Sequence, residues 1–296
     1  MNKSVEKKRT VALIGHNGSG KTLLLSAMLF NVGLSDRISQ KLIDTDPIEE
    51  AKGSSISSHV YTFDWAEHTI TTIDTPGFGD FIADVMNAVF VSENVLSVVN
   101  AVSGVEIQTE RTWQIAESMH KPIMVFINQM DKERASFDNT LQSLQSAFGR
   151  KMVALTIPIG SEANFQGVVD LVSGKAYLNE NGKPKEIPIP ASLTGKVEEM
   201  KLKAIEDIVE SNDALMEKYL EGQQIQPDEL IDALLKAYRD GAVVPVFCGS
   251  AEKNIGVNLL LDYLVRVGAN PLEAAPYEGK LETGEKVTVK MSESEP

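Results

Sequence analysis

Val11-Ala12-Leu13-Ile14-Gly15-His16-Asn17-Gly18-Ser19-Gly20-Lys21-Thr22 is the stretch on which the fold turns. The apolar run Val11–Ile14 stops at a glycine, and a short run bounded in this way reads as a buried strand of a parallel sheet. The segment from Thr22 to Phe30 has helix-length apolar content. Between them Gly15–Thr22 fits the pattern GxxxxGK[ST] in full, in the strand-to-helix context that this pattern requires. A glycine-rich turn with a chance lysine is the competing reading, and the two flanks count against it. In a phosphate loop the glycines let backbone N–H groups close around a β-phosphate, and the helix N-terminus adds a favourable dipole. Lys21 would bridge the β- and γ-phosphates, and the Thr22 hydroxyl would bind Mg²⁺.

Outward from this loop, strands are expected at Thr69–Ile73, Val95–Ala101, Pro122–Ile127, Val153–Ile157 and Val243–Phe247. Helical patterns lie between several of them, at Phe81–Val91, Gln108–Met119 and Asn139–Phe148, and a last helix is expected at Gly256–Val267. Alternating strand and helix predicts an α/β sheet with parallel strands. Residues 158–241 break the rhythm. A β-like piece at Glu186–Pro190 precedes a long acidic helical stretch, Ser192–Tyr219, and a second helix, Pro227–Tyr238. The chain is therefore divided into 1–157 with 242–275 as one domain, 158–241 as an insertion, and 276–296 as a linker and the start of something further.

The 296 residues are 43% hydrophobic, which suffices for a sizeable core. Lysine and arginine number 28 against 42 aspartates and glutamates, a net charge of −14 that argues against a simple basic nucleic-acid module. A local patch could still touch RNA. One cysteine, Cys248, rules out an internal disulfide framework and suits a reducing compartment. The polar N-terminus, Met1–Thr10, lacks an apolar signal core, and no run approaches membrane-spanning length. A soluble, cytoplasmic chain is expected.

Ile70-Thr71-Thr72-Ile73-Asp74-Thr75-Pro76-Gly77 sets a carboxylate at the C-terminal end of a strand, followed by a tight turn. Ligands of open α/β sheets bind outside such strand ends. Asp74 can hold the metal through water, and the Gly77 N–H can reach the γ-phosphate. Asn128-Gln129-Met130-Asp131 follows the next strand but one. A carboxylate at Asp131 accepts both the N1–H and N2 amino protons of guanine, a donor pair that adenine lacks. Asn128 would tie this loop to the phosphate loop. After Val243–Phe247, the small-residue turn Cys248-Gly249-Ser250-Ala251 can aim a backbone N–H at guanine O6. Each motif alone is weak, since NxxD is commonly an Asx-type turn. Four motifs in order, each at a strand end, are strong together.

These residues resemble the translational GTPases, and among them the elongation factor G family. Asp74–Gly77 with Asp80-Phe81 looks like that family's second switch. Pro158–Gly160, Asn164-Phe165 and Gly167–Val172 look like the entry to its inserted G′ subdomain. Leu215–Gly222 looks like the end of a helix in that insert, and Pro245–Ala251 with Lys253-Asn254 and Gly256-Val257 looks like the return. The resemblance covers about residues 8 to 290. It implies a P-loop G domain with a mostly parallel sheet flanked by helices, plus an α+β G′ insertion. It also implies GTP and GDP with Mg²⁺, metal contacts from Thr22, Ser55 and Asp74, and guanine contacts from Asn128, Gln129, Asp131, Ser250 and Ala251. The expected work is GTP hydrolysis on the ribosome during elongation. Ribosomal RNA and proteins would be met mainly by further domains of a chain more than twice this length. The G′ helices are a possible meeting point with ribosomal stalk protein, and a monomer with no membrane contact is expected.

The chain departs from the family in five places. Phe78 stands where the family has a histidine that places the attacking water, and phenylalanine has no lone pair with which to orient it. Loss of one such group is worth about 3 kcal/mol, a factor on the order of 100 or more. Gln129 replaces the lysine whose stem packs along the base, which predicts weaker nucleotide binding. Ser55 replaces the threonine of the first switch, Lys52 its arginine, and Gly18 an aspartate of the phosphate loop. Two other readings follow. One is a GTP-binding ribosome-associated module that scarcely hydrolyses, motivated by Phe78. The other is an ATPase with relaxed base choice, motivated by Gln129 and opposed by Asp131. His16 reads as loop packing, and His59, His68 and His120 as surface or turn residues without metal-like spacing. Trp65 and Trp113 read as packing residues, Cys248 as a buried strand end, and Val197–Glu210 as a solvated helix face.

Overall fold

The computed structural model describes residues 4–180, 182–274 and 276–292. The polar ends Met1–Lys3 and Glu293–Pro296 lie outside the described residues. In chain order the elements are β1 (Lys8–Ile14), α1 (Lys21–Asn31), α2 (Pro47–Lys52), β2 (His59–Trp65), β3 (His68–Asp74), α3 (Ile82–Val91), β4 (Asn94–Asn100), α4 (Ile107–Ser118), β5 (Ile123–Asn128), α5 (Phe137–Phe148), β6 (Met152–Ala154), β7 (Thr156–Ile159), β8 (Gly167–Asp170), β9 (Lys175–Glu180), β10 (Lys183–Ile187), α6 (Thr194–Val209), α7 (Asp213–Leu220), α8 (Pro227–Arg239), β11 (Val244–Cys248), α9 (Val257–Val267), β12 (Tyr277–Lys280) and β13 (Lys286–Val289).

The main sheet has seven strands in the order β2-β3-β1-β4-β5-β11-β6. Every pairing in it is parallel except β2 with β3. Its central strands are covered on both faces because side chains alternate across the sheet. Val11 and Leu13 of β1 pack into the layer formed with α1, α8 and α9, whereas Ala12 and Ile14 pack into the layer with α3, α4 and α5. Full burial of one such leucine or isoleucine is worth about 1.5–3 kcal/mol, so a one-residue slip of β1 is strongly disfavoured. Consecutive connections leave β1 on opposite sides, toward β3 and toward β4, which opens a crevice at the C-terminal ends of these strands.

A second sheet, β10-β9-β8-β7, is antiparallel throughout. The expected single strand Val153–Ile157 is instead two, divided at Leu155. The Leu155 N–H still donates to Val246 O of the main sheet at 2.8 Å, while Leu155 O accepts from Leu171 N, which starts the chain along the second sheet. The expected long helix Ser192–Tyr219 is also two, α6 and α7. The break follows from Asn212, whose side chain accepts from Leu215 N and caps α7 afresh. The β-like piece expected at Glu186–Pro190 is β10, shifted toward the N-terminus because the prolines at 188 and 190 cannot donate to a ladder.

Two features were not expected from the sequence. β2 is an edge strand joined to β3 by a two-residue turn in which Ala66 and Glu67 both have positive φ, 42° and 64°. The tail, expected to be a linker and the start of something further, contains the hairpin β12–β13, and Tyr277 packs edge-on against Phe90 at 5.6 Å between ring centroids.

Candidate functional site

The loop after β1 is shaped by three glycines with positive φ: Gly15 at 139°, Gly18 at 80° and Gly20 at 88°. A Cβ at Gly15 would stand 2.3 Å from Val98 O, and one at Gly20 would stand 2.5 Å from Asn128 Nδ2. Neither position tolerates a side chain, so the sequence requirement is steric as well as torsional. Lys21 begins α1 and is buried, and its Nζ donates to Gly15 O at 3.1 Å and to His16 O at 3.0 Å. Burial pushes its ammonium down to about 8 against the attraction of Asp74 and Asp44.

Thr22 Oγ1 donates to Asp74 Oδ2 at 2.7 Å and lies 3.1 Å from Ser55 Oγ, which in turn donates to Asp44 Oδ1 at 2.8 Å. The three residues expected to hold Mg²⁺ are thus brought together. Asp74 ends β3 opposite Leu13, is fully buried, and its second oxygen, Oδ1, has no partner. Burial pushes its carboxyl up to about 6, opposed by Lys21 and by the Thr22 hydrogen bond. A buried carboxylate with an orphaned oxygen beside two hydroxyls fits a hard divalent cation. Thr75 Oγ1 donates to Leu13 O at 2.6 Å and pins the following turn to β1. A Cβ at Gly77 would lie 2.6 Å from Asn17 Cα and 2.8 Å from Lys21 Nζ, so this turn closes directly on the phosphate loop.

Asn128 ends β5 and joins three segments. Its Nδ2 donates to Ser19 O at 2.9 Å, and its Oδ1 accepts from Ala251 N at 2.9 Å. The Ser250 N–H is given to Ile255 O, so both amides of that turn are engaged within the protein. Gln129, at φ 65°, donates through Nε2 to Gly18 O at 2.9 Å and accepts from Asn100 Nδ2 at 2.8 Å. Asp131 carries a buried Oδ1 with no partner, an acceptor left open for a donor-bearing base. A cavity of about 200 Å³ lined by Asn17, Lys21, Thr22, Ser55, Gly77 and Gln129 joins the phosphate loop to the two turns after it and to Gln129; Asp74, Asp131 and the Ser250 turn do not line it. A cleft of about 250 Å³ at the other end of the sheet is slightly larger. Its arginines are already paired, Arg150 with Glu117 and Arg239 with Glu273. Chemistry, not size, selects the first.

Known proteins resemble this chain over most of its length. A model of the family "Elongation factor Tu GTP binding domain" matches residues 6–269. An elongation factor G-like protein of Thermotoga maritima is 51% identical over 292 residues, which is 99% of this chain and 42% of that protein. The chain belongs to the elongation factor G family of translational GTPases. A crystal structure of a Thermus thermophilus protein superposes with a TM-score of 0.85 at 32% identity, over 92% of this chain and 42% of that one. The chain spans less than half the length of these two relatives.

In this elongation-factor-G-type G domain Phe78 is 43% exposed and opens the 3-10 turn Gly79–Phe81 ahead of α3. It does not line the cavity around Lys21 and Thr22. Lys52 ends α2 with an exposed side chain, and Gly53 follows at φ 65°. His16 packs as expected, its Nδ1 facing Gln108 N at 3.4 Å. Trp113 is fully buried and stacked on Phe148, and Cys248 is a buried strand end. His59 departs from its reading as a surface or turn residue, because it opens β2 and lies with Asp44 and Glu49 in one cluster. Asp44, Gln40 and Asn100 also reach the site and were not foreseen. Each comes from a loop or strand end whose sequence carries no spacing signal. Among the described residues no helix is long and apolar enough to cross a membrane.

Proposed function

We propose that this G domain binds GTP·Mg²⁺ and hydrolyses it to GDP and phosphate while its parent protein is on the ribosome. The observation that supports this most directly is the orphaned buried Asp74 Oδ1 beside the Thr22 and Ser55 hydroxyls at the phosphate loop, with a second orphaned acceptor, Asp131 Oδ1, in the loop after β5. Asp131 selects guanine by accepting its paired donors. Gly15–Gly20 cradle the β-phosphate and Lys21 bridges toward the γ-phosphate. Thr22 and Ser55 present hydroxyls, and Asp74 a carboxylate, to Mg²⁺. When bound, that ion neutralises charge on the β- and γ-oxygens. The Ser55 and Gly77 turns follow the γ-phosphate, ordering with it and relaxing after its loss. Residues 158–241 are read as the inserted G′ subdomain, with α6 and α7 available to a ribosomal stalk protein.

Phe78 favours a second reading, a GTP-occupied switch with hydrolysis close to background, because no proton-accepting or lone-pair group stands at that position. Single-turnover γ-phosphate release by the full-length protein, with and without ribosomes and beside Phe78→His, separates the two. Strong ribosome stimulation of the native protein supports the hydrolytic reading and shows that another group places the water. Background rates in the native protein, with a gain on the order of 100-fold in Phe78→His, support the second.

A further inference from the structure

Asp44, Glu49 and His59 each offer one ligand atom such that all three atoms lie within 4.8 Å of one another. Asp44 follows the 3-10 turn Gln40–Leu42, Glu49 is on α2, and His59 opens β2 directly opposite Asp74. The cluster borders the nucleotide crevice without being part of the phosphate loop.

Both carboxylates are held as metal-ligating carboxylates are, by donors behind them. Glu49 Oε1 accepts from Ile56 N at 2.8 Å and Ser57 N at 3.2 Å, which leaves Oε2 turned to His59. Glu49 is completely buried, and its Oε2 makes no hydrogen bond. It stands 3.2 Å from His59 Nε2, while His59 Nδ1 stands 3.9 Å from Asp44 Oδ1 and also makes no hydrogen bond. Asp44 accepts from Gln40 Nε2 at 2.7 Å and from Ser55 Oγ at 2.8 Å. One ion takes only one ring nitrogen of His59; with one ligand atom from each residue the three lie within 4.8 Å of one another, against roughly 3.4 Å for two ligands about 2.1 Å from one tetrahedral centre, so the side chains must close on the ion.

Charge points the same way. Asp44, Glu49 and Asp74 are three buried carboxylates, and Lys21 is the buried lysine beside them. Buried carboxylates need counter-charge, and an ion at Thr22, Ser55 and Asp74 answers only part of it.

We propose that Asp44, Glu49 and His59 bind a second divalent ion, of the zinc or manganese class, distinct from the Mg²⁺ of the nucleotide. One imidazole with two carboxylates suits those ions and is a poor set for Mg²⁺, which prefers oxygen and retained water. The ion would clip residues 44–59 to the start of β2. Because Ser55 donates to Asp44, it would also set the resting position of the hydroxyl offered to the nucleotide's metal.

The test uses the full-length protein saturated with GDP and Mg²⁺, so that the nucleotide site is already filled. Zn²⁺ is titrated against a chelating dye, and Mn²⁺ is added for pulsed electron paramagnetic resonance. One further zinc equivalent tighter than millimolar is expected, with nitrogen modulation on the bound Mn²⁺ from His59. His59→Gln and Glu49→Gln should each weaken zinc at least tenfold and abolish or displace the nitrogen signal, with GDP binding and circular dichroism retained. The absence of nitrogen modulation in the native protein, or equal zinc affinity in folded His59→Gln, overturns the site. Retained GDP binding in the same samples keeps that failure separate from any failure of the GTP reading.

Discussion

Replacing Asn128 by alanine tests how the three loops of the site are held together. Asn128 is 1% exposed, and its amide makes one hydrogen bond to the phosphate loop and one to the Ser250 turn. Alanine leaves Ser19 O and Ala251 N buried without their partner. Each orphaned group costs about 1–3 kcal/mol, so a total of about 2–6 kcal/mol is expected. At about 2–3 °C per kcal/mol for a chain of this size, the melting temperature should fall by about 4–18 °C. Differential scanning calorimetry without nucleotide reads this, and a labelled-GDP titration reads the loss of preorganisation. Asn128→Asp adds a sharper arm. It keeps the acceptor for Ala251 N but sets a carboxylate oxygen against Ser19 O. Only the protonated acid can donate there, so the carboxyl pKa is raised in the folded state. Stability relative to the native protein should therefore recover as pH falls below that pKa. A melting temperature within a degree of native for Asn128→Ala, with unchanged GDP affinity, would refute the assignment of Asn128 as the joint.

Asp74→Asn should stabilise the nucleotide-free protein at pH 7 by up to about 2 kcal/mol, measured by urea denaturation, while abolishing the Mg²⁺ dependence of GDP binding. Burial raises the carboxyl to about 6 even against Lys21 and the Thr22 hydrogen bond, so its favourable contribution is complete below the ordinary 3.8 and is lost as pH rises through 6. Gly77→Ala should weaken GTP binding at least tenfold in fluorescence titration, because the new methyl meets the Asn17 backbone at 2.6–2.7 Å. The Cys248 thiol is pushed up to about 12 by burial. It should resist a thiol reagent at pH 8 in the native state and react on unfolding. Its stabilising effect holds below the ordinary 9 and is lost as pH rises through 12.

The parallel core was legible because its signals are local. Val11–Ile14 and the glycines that follow specify strand and turn within a dozen residues, and Asp74, Asn128 and Ser250 each sit where an apolar run stops. What was hidden depends on distant partners. β2 reads poorly because it is an edge strand, mostly solvent-facing, whose pairing rests on the Ala66–Glu67 turn. Gln129 was read against a base, yet its amide is engaged by Gly18 and Asn100, a geometry set by β4 lying beside β5. Asp44, Glu49 and His59 share no motif spacing, and only the folding of α2 back toward the start of β2 makes them neighbours. The split at Leu155 escaped notice because both of its strands are apolar, and hydropathy cannot say which sheet an apolar strand joins.

That split has a mechanical consequence. The antiparallel sheet is rooted one residue beyond β6, and Thr156, its first residue, accepts the Cys248 N–H through Oγ1 at 2.9 Å. Cys248 is followed at once by Gly249, whose carbonyl accepts from Met130 in the Asp131 loop at 3.1 Å. A tug on the small sheet is therefore delivered, through the Thr156 hydroxyl and through Asn179, which donates to Lys253 O, to the Ser250 turn and the Asp131 loop. Whatever leans on that sheet has a short lever on nucleotide retention, with its fulcrum at Leu155.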